Sequence, residues 1–113
     1  MAMTNYERGR RFEYKIKKML EKVGFTVFRT AGSHGDVDLI AINDTKTFLL
    51  QLKYGKPITK ADKKKFFIFQ NKFTSISIKR YCFMIHQLPR KKPFAYSIDD
   101  NYNLINENWL FKE

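Results

Sequence analysis

The sequence predicts a single α/β domain, and three observations lead to this fold class. A stretch near the N-terminus has the 3.6-residue apolar period of an amphipathic helix, and several later stretches are short apolar runs typical of β-strands. At 113 residues the chain is long enough for one hydrophobic core but not for two. Hydrophobic residues make up 43% of the chain, which excludes a disordered protein. We therefore expect residues 1–113 to form one domain in the order helix, strand, hairpin, helix, strand, strand.

The predicted first helix begins after Thr4 and ends near Gly24. Thr4 and Glu7 have the spacing of a capping box, and glycine is common just beyond a helix C-terminus. One apolar face is formed by Phe12, Ile16, Met19, Leu20 and Val23. Basic residues, among them Arg10 and Arg11, cover the remaining surface.

Glu13 lies at the border of this apolar face, about 100° around the helix from Phe12. Two interpretations remain open. Glu13 can pair with Lys17 one turn further on, which stabilises a helix by only about 0.2–0.5 kcal/mol. Alternatively, its carboxylate reaches over the sheet toward Asp38.

The sequence is organised around a predicted β-hairpin. Two apolar runs, residues 33–42 and 48–53, flank the polar residues 43–46, which have the composition of a tight turn. If Asp44 and Thr45 form the loop, the numbers of paired residues add up to 89, and Asp38 lies directly opposite Gln51. Lys53 then projects from the same face of the sheet, because side chains alternate along a strand.

A carboxylate, an amide and an ammonium on one sheet face are costly to bury unless they pair or bind a metal ion. Asp38, Gln51 and Lys53 are therefore candidates for a functional site. The alternative is a solvated sheet edge on which Asp38 and Lys53 form a simple ion pair.

Residues 31–35 form a predicted loop between the first strand, residues 25–30, and the hairpin. The loop contains two glycines, which allow backbone amides to approach an anion. Ser33 and His34 are therefore candidates for phosphate contact. A catalytic Ser–His pair is disfavoured, because adjacent side chains on an extended segment point apart.

The predicted second helix begins at Thr59 or Lys60, with Asp62 three residues after the threonine. Its second half is apolar on nearly every side, through Phe66, Phe67, Ile68, Phe69 and Phe73. Such a helix must be covered on every side, and a second copy of the chain is the simplest cover. Its first half is a basic face suited to a DNA backbone, formed by Lys60, Lys63, Lys64 and Lys65.

Two further strands are predicted at residues 80–87 and 94–98. We expect His86 and Cys82, both in the first of these strands, to be structural, and a single cysteine can form no internal disulfide. Residues 99–113 carry no pattern that predicts an element, although Trp109, Leu110 and Phe111 can dock this segment on the core or on a partner.

The net charge of +11 favours an anionic partner, most commonly nucleic acid. An anionic membrane surface is a weaker alternative, because no segment combines a basic face with a clean apolar face. We find no signal-peptide pattern and no run of about 18 apolar residues. We therefore expect a soluble, intracellular (cytoplasmic) protein.

Five sequence segments follow one another in a fixed order: Gly9-x3-Glu13, Lys-Val-Gly-Phe at 22–25, Arg-Thr-Ala-Gly-Ser at 29–33, Val-Asp-Leu-Ile at 37–40 and Gln51-x-Lys53. In this order and spacing they resemble the archaeal Holliday junction resolvases, which belong to the PD-(D/E)xK nuclease superfamily. The resemblance covers roughly residues 5–60.

The resemblance implies a restriction-endonuclease-like core, a mixed central sheet flanked by helices, in a protein that acts as a homodimer. It implies Mg²⁺-dependent cleavage of four-way DNA junctions by paired nicks in opposing strands, with Mn²⁺ as a substitute ion. By likeness, Glu13 matches a helix-borne acid, Asp38 the principal metal-binding aspartate, Lys53 the motif lysine, and Ser33 a loop serine that some members use in catalysis. The implied metal ligands also include Gln51 and the backbone carbonyl of Leu52. The candidate DNA contacts are Arg10, Arg11, Arg29, His34, Lys56, Lys60, Lys63 and Lys64.

The chain departs from the family pattern at Gln51, where most relatives have Glu or Asp. A glutamine oxygen can ligate Mg²⁺ but adds no negative charge. Either Asp36, two residues before Asp38, restores that charge, or the protein binds junctions without cutting them; we favour the active enzyme. The alternatives are a restriction- or repair-type duplex nuclease of the same fold and a non-catalytic basic nucleic-acid-binding protein.

Overall fold

The computed structural model describes residues 3–30, 37–72 and 81–112 and contains the predicted elements in the predicted order. The described residues form two helices, six strands and a short 3₁₀-helix. They are α1 (Asn5–Lys22), β1 (Thr26–Arg29), β2 (Leu39–Ile42), β3 (Thr47–Tyr54), α2 (Lys60–Asn71), β4 (Cys82–Gln87), β5 (Phe94–Ile98), β6 (Leu104–Asn106) and the 3₁₀-helix Asn108–Lys112.

The six strands form one mixed sheet in which spatial order follows chain order, from β1 to β6. Every neighbouring pair is antiparallel except β3 and β4, which are parallel. A parallel pair needs a crossover connection, and α2 provides it. The predicted α/β class with a mixed central sheet flanked by helices is therefore confirmed.

The two helices cover opposite faces of the sheet. Phe12, Ile16 and Leu20 of α1 share one core cluster with Leu39 and Leu50. On the other face, Phe66 and Phe69 of α2 pack with Cys82, Met84 and Ile98. Strand β4 is buried along its whole length because its side chains pack into the core clusters on both faces of the sheet.

Helix α1 begins and ends as predicted. The Thr4 side chain accepts a hydrogen bond from the Glu7 amide, and Gly24 follows the helix with φ +103°, a conformation that glycine adopts without strain. Met19 and Val23 are partly buried against the core beside the three buried residues of the apolar face.

The hairpin register is also confirmed. Leu39 pairs with Leu50 and Ile42 with Thr47, so the numbers of paired residues add up to 89. In the turn, the Asn43 side chain accepts hydrogen bonds from the amides of Thr45 and Lys46. This is the local side-chain bonding that makes asparagine common in turns.

Helix α2 is covered largely by its own chain, so most of its apolar surface is buried without a second copy, which the sequence suggested as the simplest cover. Phe66 and Phe69 are buried, and the Phe67 ring packs edge-on against Tyr102 with 4.8 Å between centroids. Ile68 remains 52% exposed. The sequence pattern does not show that the segment between β5 and β6 lies against this helix.

The C-terminal segment is ordered into two elements that the sequence did not predict. Strand β6 extends the sheet beyond β5, so residues 94–98 are not the last strand. The 3₁₀-helix buries Leu110 in the α1-side core, and the Trp109 ring contacts Phe48 and Phe83. The predicted docking of this segment on the core is confirmed.

Several predicted features lie outside the described residues: Ser33, His34 and Asp36 with their loop, Phe73, and Arg80 at the start of the fourth predicted strand. Within the described part of the chain, neither helix has the length and apolar character needed to cross a membrane.

Candidate active site

One cavity brings together the polar residues of the hairpin and the first turns of α2. It has a volume of about 280 Å³ and lies on the α2 side of the sheet. Its lining residues are Asp38, Gln51, Leu52, Lys53, Asp62, Lys65 and Met84. Asp38, Gln51 and Lys53, which were predicted to share one face, therefore line one cavity.

A local distortion of β2 orients Asp38. The Asp38 amide donates to the Leu50 carbonyl (2.8 Å), although the strand register pairs Leu50 with Leu39. Two residues of one strand thus oppose one residue of the other, as in a β-bulge. The prediction that Asp38 lies directly opposite Gln51 is wrong in this detail, because the bulge interrupts the regular pairing.

The bulge directs the Asp38 carboxylate to the backbone of β3. Oδ2 of Asp38 accepts a hydrogen bond from the Leu52 amide at 2.8 Å. On the opposite edge of β3, the amides of Leu49 and Gly55 donate to β4-side carbonyls of Tyr81 and Gln87. The amide and carbonyl groups of successive strand residues point to opposite neighbouring strands. The carbonyl of Leu52 therefore points toward the Asp38 side.

Gln51 and Lys53 alternate with Leu52 and point to the cavity face of β3. Their partners in the parallel ladder are Met84 and His86, on the fully buried strand β4. A central strand with neighbours on both sides is a rigid support, so these two side chains start from well-defined backbone positions.

Asp62 is a cavity residue that the sequence analysis treated only as part of a helix cap. Its capping box with Thr59 is present, and Oδ2 of Asp62 also lies 2.6 Å from Nζ of Lys53. Burial acts to raise the pKa of Asp62, but the hydrogen bonds from Lys53 and from Thr59 outweigh it and lower the pKa to about 2. Asp62 is therefore an anion in contact with Lys53.

Only the crossover geometry reveals this role. The three-residue spacing from Thr59 indicated a cap and was correct. The parallel connection then carries the first turn of α2 back over the end of β3, where the cap carboxylate meets Lys53. Lys65, one turn further along α2, brings a second cation to the same cavity.

Glu13 does not line this cavity. Oε2 of Glu13 accepts a hydrogen bond from Nε of Arg29 at 3.1 Å, on the α1 side of the sheet. The alternative partner considered for Glu13 was Lys17, which instead pairs with Glu21. The interpretation of Glu13 as a Lys17 partner is therefore wrong.

The two residues expected to be structural are placed as expected. Nε2 of His86 lies 2.7 Å from the Lys56 carbonyl, and the side chain is buried. Cys82 is fully buried in the α2-side core, and burial raises the pKa of its thiol to about 11. A thiol with a raised pKa is a poor nucleophile at neutral pH.

The described candidate DNA contacts fall on two surfaces. Lys56, Lys60, Lys63 and Lys64 lie between the end of β3 and the first turns of α2, and all but the half-buried Lys63 are exposed. Arg10 and Arg11 lie on α1, where Arg10 donates to the Tyr6 hydroxyl at 3.0 Å. Arg11 lines a second cavity of about 170 Å³, together with Arg8 and Lys15. Arg29 is engaged with Glu13.

The potential metal ligands at the cavity lined by Asp38, Gln51 and Lys53 are mainly oxygen atoms, but only Asp38 and Asp62 offer carboxylates. Among the described residues there is no group of three or more His, Cys, Asp or Glu side chains that could hold a metal ion. A cation bound at this cavity would therefore also need amide and backbone oxygens, such as those of Gln51 and Leu52.

A mixed sheet flanked by helices, with an acid just before β2 and a lysine on β3 at one cavity, is the arrangement of a restriction-endonuclease-like fold. A family model described as archaeal Holliday junction resolvase (Hjc) matches residues 4–102. The chain belongs to this family, and the resemblance identified from the sequence is confirmed.

One relative is similar to this chain in sequence, and one solved structure is similar to it in fold. The crossover junction endodeoxyribonuclease Hjc of Methanocaldococcus jannaschii is 46% identical over 48 residues, which are 42% of this chain and 35% of that protein. The chain therefore matches about a third of the length of this relative. The structure of the Holliday junction resolvase Hjc from Archaeoglobus fulgidus, an archaeal hyperthermophile, superposes with a TM-score of 0.61 at 18% identity, covering 94% of this chain and 97% of that one.

Proposed function

We propose that this protein is a divalent-metal-dependent, structure-selective DNA endonuclease that resolves four-way (Holliday) junctions by paired nicks. The observation that carries the proposal is the shared cavity of Asp38, Gln51 and Lys53 in a chain of the resolvase family. The net charge of +11 supports a nucleic-acid substrate, because phosphates are the usual acceptors of such an excess.

The donors at the cavity fit Mg²⁺, and Mn²⁺ as its substitute. Both are hard cations that take oxygen ligands, and Mg²⁺ normally keeps several waters beside one or two carboxylates. Asp38 would supply the carboxylate, Gln51 an amide oxygen and Leu52 a backbone carbonyl. Glu13, Asp36 and Ser33 stay proposals from family likeness, since Glu13 pairs with Arg29 and the other two lie outside the described residues.

The chain's own groups would divide the chemistry of phosphodiester hydrolysis between them. When bound, the metal ion supplies Lewis-acid polarisation of phosphate oxygens and a more acidic water. Asp38, held by the Leu52 amide, fixes the acidic side of the cavity. The Lys53 ammonium would stabilise the negative charge that develops on the phosphoryl oxygens as water attacks phosphorus and a phosphorus–oxygen bond to the sugar breaks. Lys65 would hold a neighbouring phosphate.

Paired nicks in opposing strands require two active sites, and the described part of one chain contains one cavity with this donor set. We therefore infer that a homodimer acts on one junction, each copy cutting one strand. Sedimentation of the free protein and of its junction complex tests the stoichiometry. A monomer on each junction would contradict the dimer.

A second candidate function is junction binding without cleavage, and Gln51 favours it. A neutral amide in place of a second acid lowers the charge available to bind a divalent cation. A duplex nuclease of the same fold would use the same cavity; competition between a junction and a linear duplex of equal length separates that function from junction resolution.

The deciding experiment uses a four-way junction labelled on one arm, with and without Mg²⁺. We expect symmetrical nicks near the branch point only when Mg²⁺ is present. Tight binding without cuts would leave only the binding function, and equal cutting of the linear duplex would exclude junction selectivity.

The Asp38→Asn variant tests the division of roles. We expect cutting to fall by at least about 10³-fold, because the side chain loses its charge at the cavity. Junction affinity should change little, since affinity rests on the lysine and arginine surface. A parallel loss of cutting and binding would contradict this division.

A further inference from the structure

We infer that Asp62 is a positioning residue that holds the Lys53 ammonium in the cavity through their ion pair. This inference rests on the proposed function for its catalytic consequence, but not for the placement of Lys53. It adds a residue of α2 to a site otherwise built from the hairpin strands.

The contacts of Asp62 explain how it could hold another side chain. Its Oδ2 atom accepts from the Thr59 amide and the Thr59 hydroxyl, each at 2.9 Å, and from Nζ of Lys53 at 2.6 Å. Asp62 itself lies in the first turn of α2, and the contact from the Thr59 amide, which does not depend on the side chain at position 59, holds the carboxylate there. The third contact therefore ties a long, flexible side chain to a rigid helix terminus.

Holding the Lys53 ammonium at one place in the cavity requires a partner that orders its side chain. A lysine side chain has four rotatable carbon–carbon bonds, and ordering it costs up to about 2 kcal/mol of rotamer entropy. Both members of the pair are mostly shielded from water, with side-chain exposures of 24% for Lys53 and 23% for Asp62. An ion pair in this setting is screened less than one at the open surface.

Because residue 51 is a glutamine in this chain, Asp62 has a second effect on the cavity. A relative with an acid at that position has a carboxylate on the same strand face as its motif lysine. In this chain Gln51 is neutral, so the described ion pair of Lys53 comes from the helix instead. Asp62 thus brings a carboxylate to a cavity whose strand residues contribute only Asp38.

A simpler interpretation is that Asp62 only caps α2. Four variants separate the two roles. Asp62→Asn keeps an oxygen that can accept the cap hydrogen bonds but removes the charge. Asp62→Glu keeps a cap and a charge but displaces the carboxylate by one methylene. Thr59→Ala removes the cap hydroxyl and keeps the ion pair, and Asp99→Asn makes the same charge change in an exposed turn between β5 and β6.

In junction cleavage, positioning predicts that Asp62→Asn lowers kcat by about 10- to 100-fold with little change in KM, because a misplaced catalytic group costs rate rather than binding. Asp62→Glu should lose less, and Thr59→Ala and Asp99→Asn should stay within about twofold of wild type. Wild-type kcat in Asp62→Asn, or an equal loss in Thr59→Ala, would overturn the inference.

A second measurement needs neither metal nor cleavage. Acetic anhydride acetylates lysines faster when their amines are exposed and not engaged in an ion pair. Mass spectrometry reports the rate at each lysine. The exposed Lys60 provides an internal reference. We expect Lys53 to react several-fold more slowly than Lys60 in the wild type, and this protection to be lost in Asp62→Asn but not in Thr59→Ala.

Unchanged labelling of Lys53 in Asp62→Asn would overturn the inference whatever the activity shows. If the wild-type protein fails to cut junctions while the labelling behaves as expected, the proposed function fails and the placement of Lys53 by Asp62 stands.

Discussion

At the scale of single residues, the site depends on how each polar group is held as much as on which group is present. Asp38 is held by the Leu52 amide after a bulge, and Lys53 by a capping carboxylate. Gln51 is the residue whose chemistry departs from the family, and on the proposed function its side-chain oxygen would be a metal ligand. The cavity would then bind a divalent cation with less negative charge than a site that has a second acid.

Gln51→Glu should reverse that reduction. A second carboxylate beside Asp38 raises the attraction for a divalent cation, so we expect the Mg²⁺ concentration for half-maximal cutting to fall by about tenfold. Gln51→Ala removes the oxygen donor and should raise this concentration. Cleavage measured over a Mg²⁺ titration checks both variants, and superimposable titration curves for all three proteins would remove residue 51 from the site.

At the scale of elements, the start of α2 links the helix cap to the cavity lined by Asp38, Gln51 and Lys53. The folded-state pKa of Asp62 is about 2, below its ordinary value of 3.8. A lowered carboxyl pKa means that the ionised form stabilises the folded state. That stabilisation is fully present above about pH 4 and is lost as the pH falls toward 2.

We therefore expect wild-type protein to exceed Asp62→Asn in free energy of unfolding by about 1–2 kcal/mol at pH 6. The difference should shrink as the pH falls from 4 through 2, because the wild-type Asp62 carboxylate becomes protonated and is then neutral like the asparagine. Urea unfolding at a series of pH values measures it. In a Lys53→Met background the difference should be smaller, because the strongest hydrogen-bond donor to Asp62 is gone. A difference that is independent of pH would contradict the role of the charge.

The regular elements could be predicted from the sequence because their signals are local. The 3.6-residue period of α1, the caps at Thr4 and Thr59 and the hairpin register depend only on neighbouring residues. Strand β6 could not be predicted, since it has three residues and two of them are exposed. The bulge at Asp38 leaves no sequence pattern.

At the scale of the whole molecule, the site is predictable only in part, because it joins segments far apart in the chain. Asp38, Gln51 and Lys53 lie on one hairpin, so strand alternation was enough to group them. Asp62 joins them only through the parallel β3–α2–β4 crossover, a tertiary feature that the cap pattern does not contain. The same limit explains why α2 was expected to need a second copy, when Tyr102 of its own chain covers Phe67.

The net charge of +11 also acts at this scale, and its distribution decides how salt affects binding. Each lysine that neutralises a DNA phosphate contributes about −0.9 to the slope of log affinity against log salt concentration. Lys64 is exposed on the first half of α2, beside the cavity, whereas Lys112 is exposed on the 3₁₀-helix, which packs on the opposite face of the sheet. Removing either lysine changes the net charge equally.

On the proposed function, Lys64→Ala should reduce the steepness of the salt dependence of junction binding by about one unit, and Lys112→Ala should leave it unchanged. The measurement is a series of binding isotherms across salt concentrations, made in the Asp38→Asn background so that the junction stays intact. Equal changes in the two variants would mean that overall charge, and not the α2 surface, attracts the DNA. An unchanged slope in Lys64→Ala would mean that the junction does not contact the start of α2. It would also contradict the DNA contacts proposed for Lys60 and Lys63.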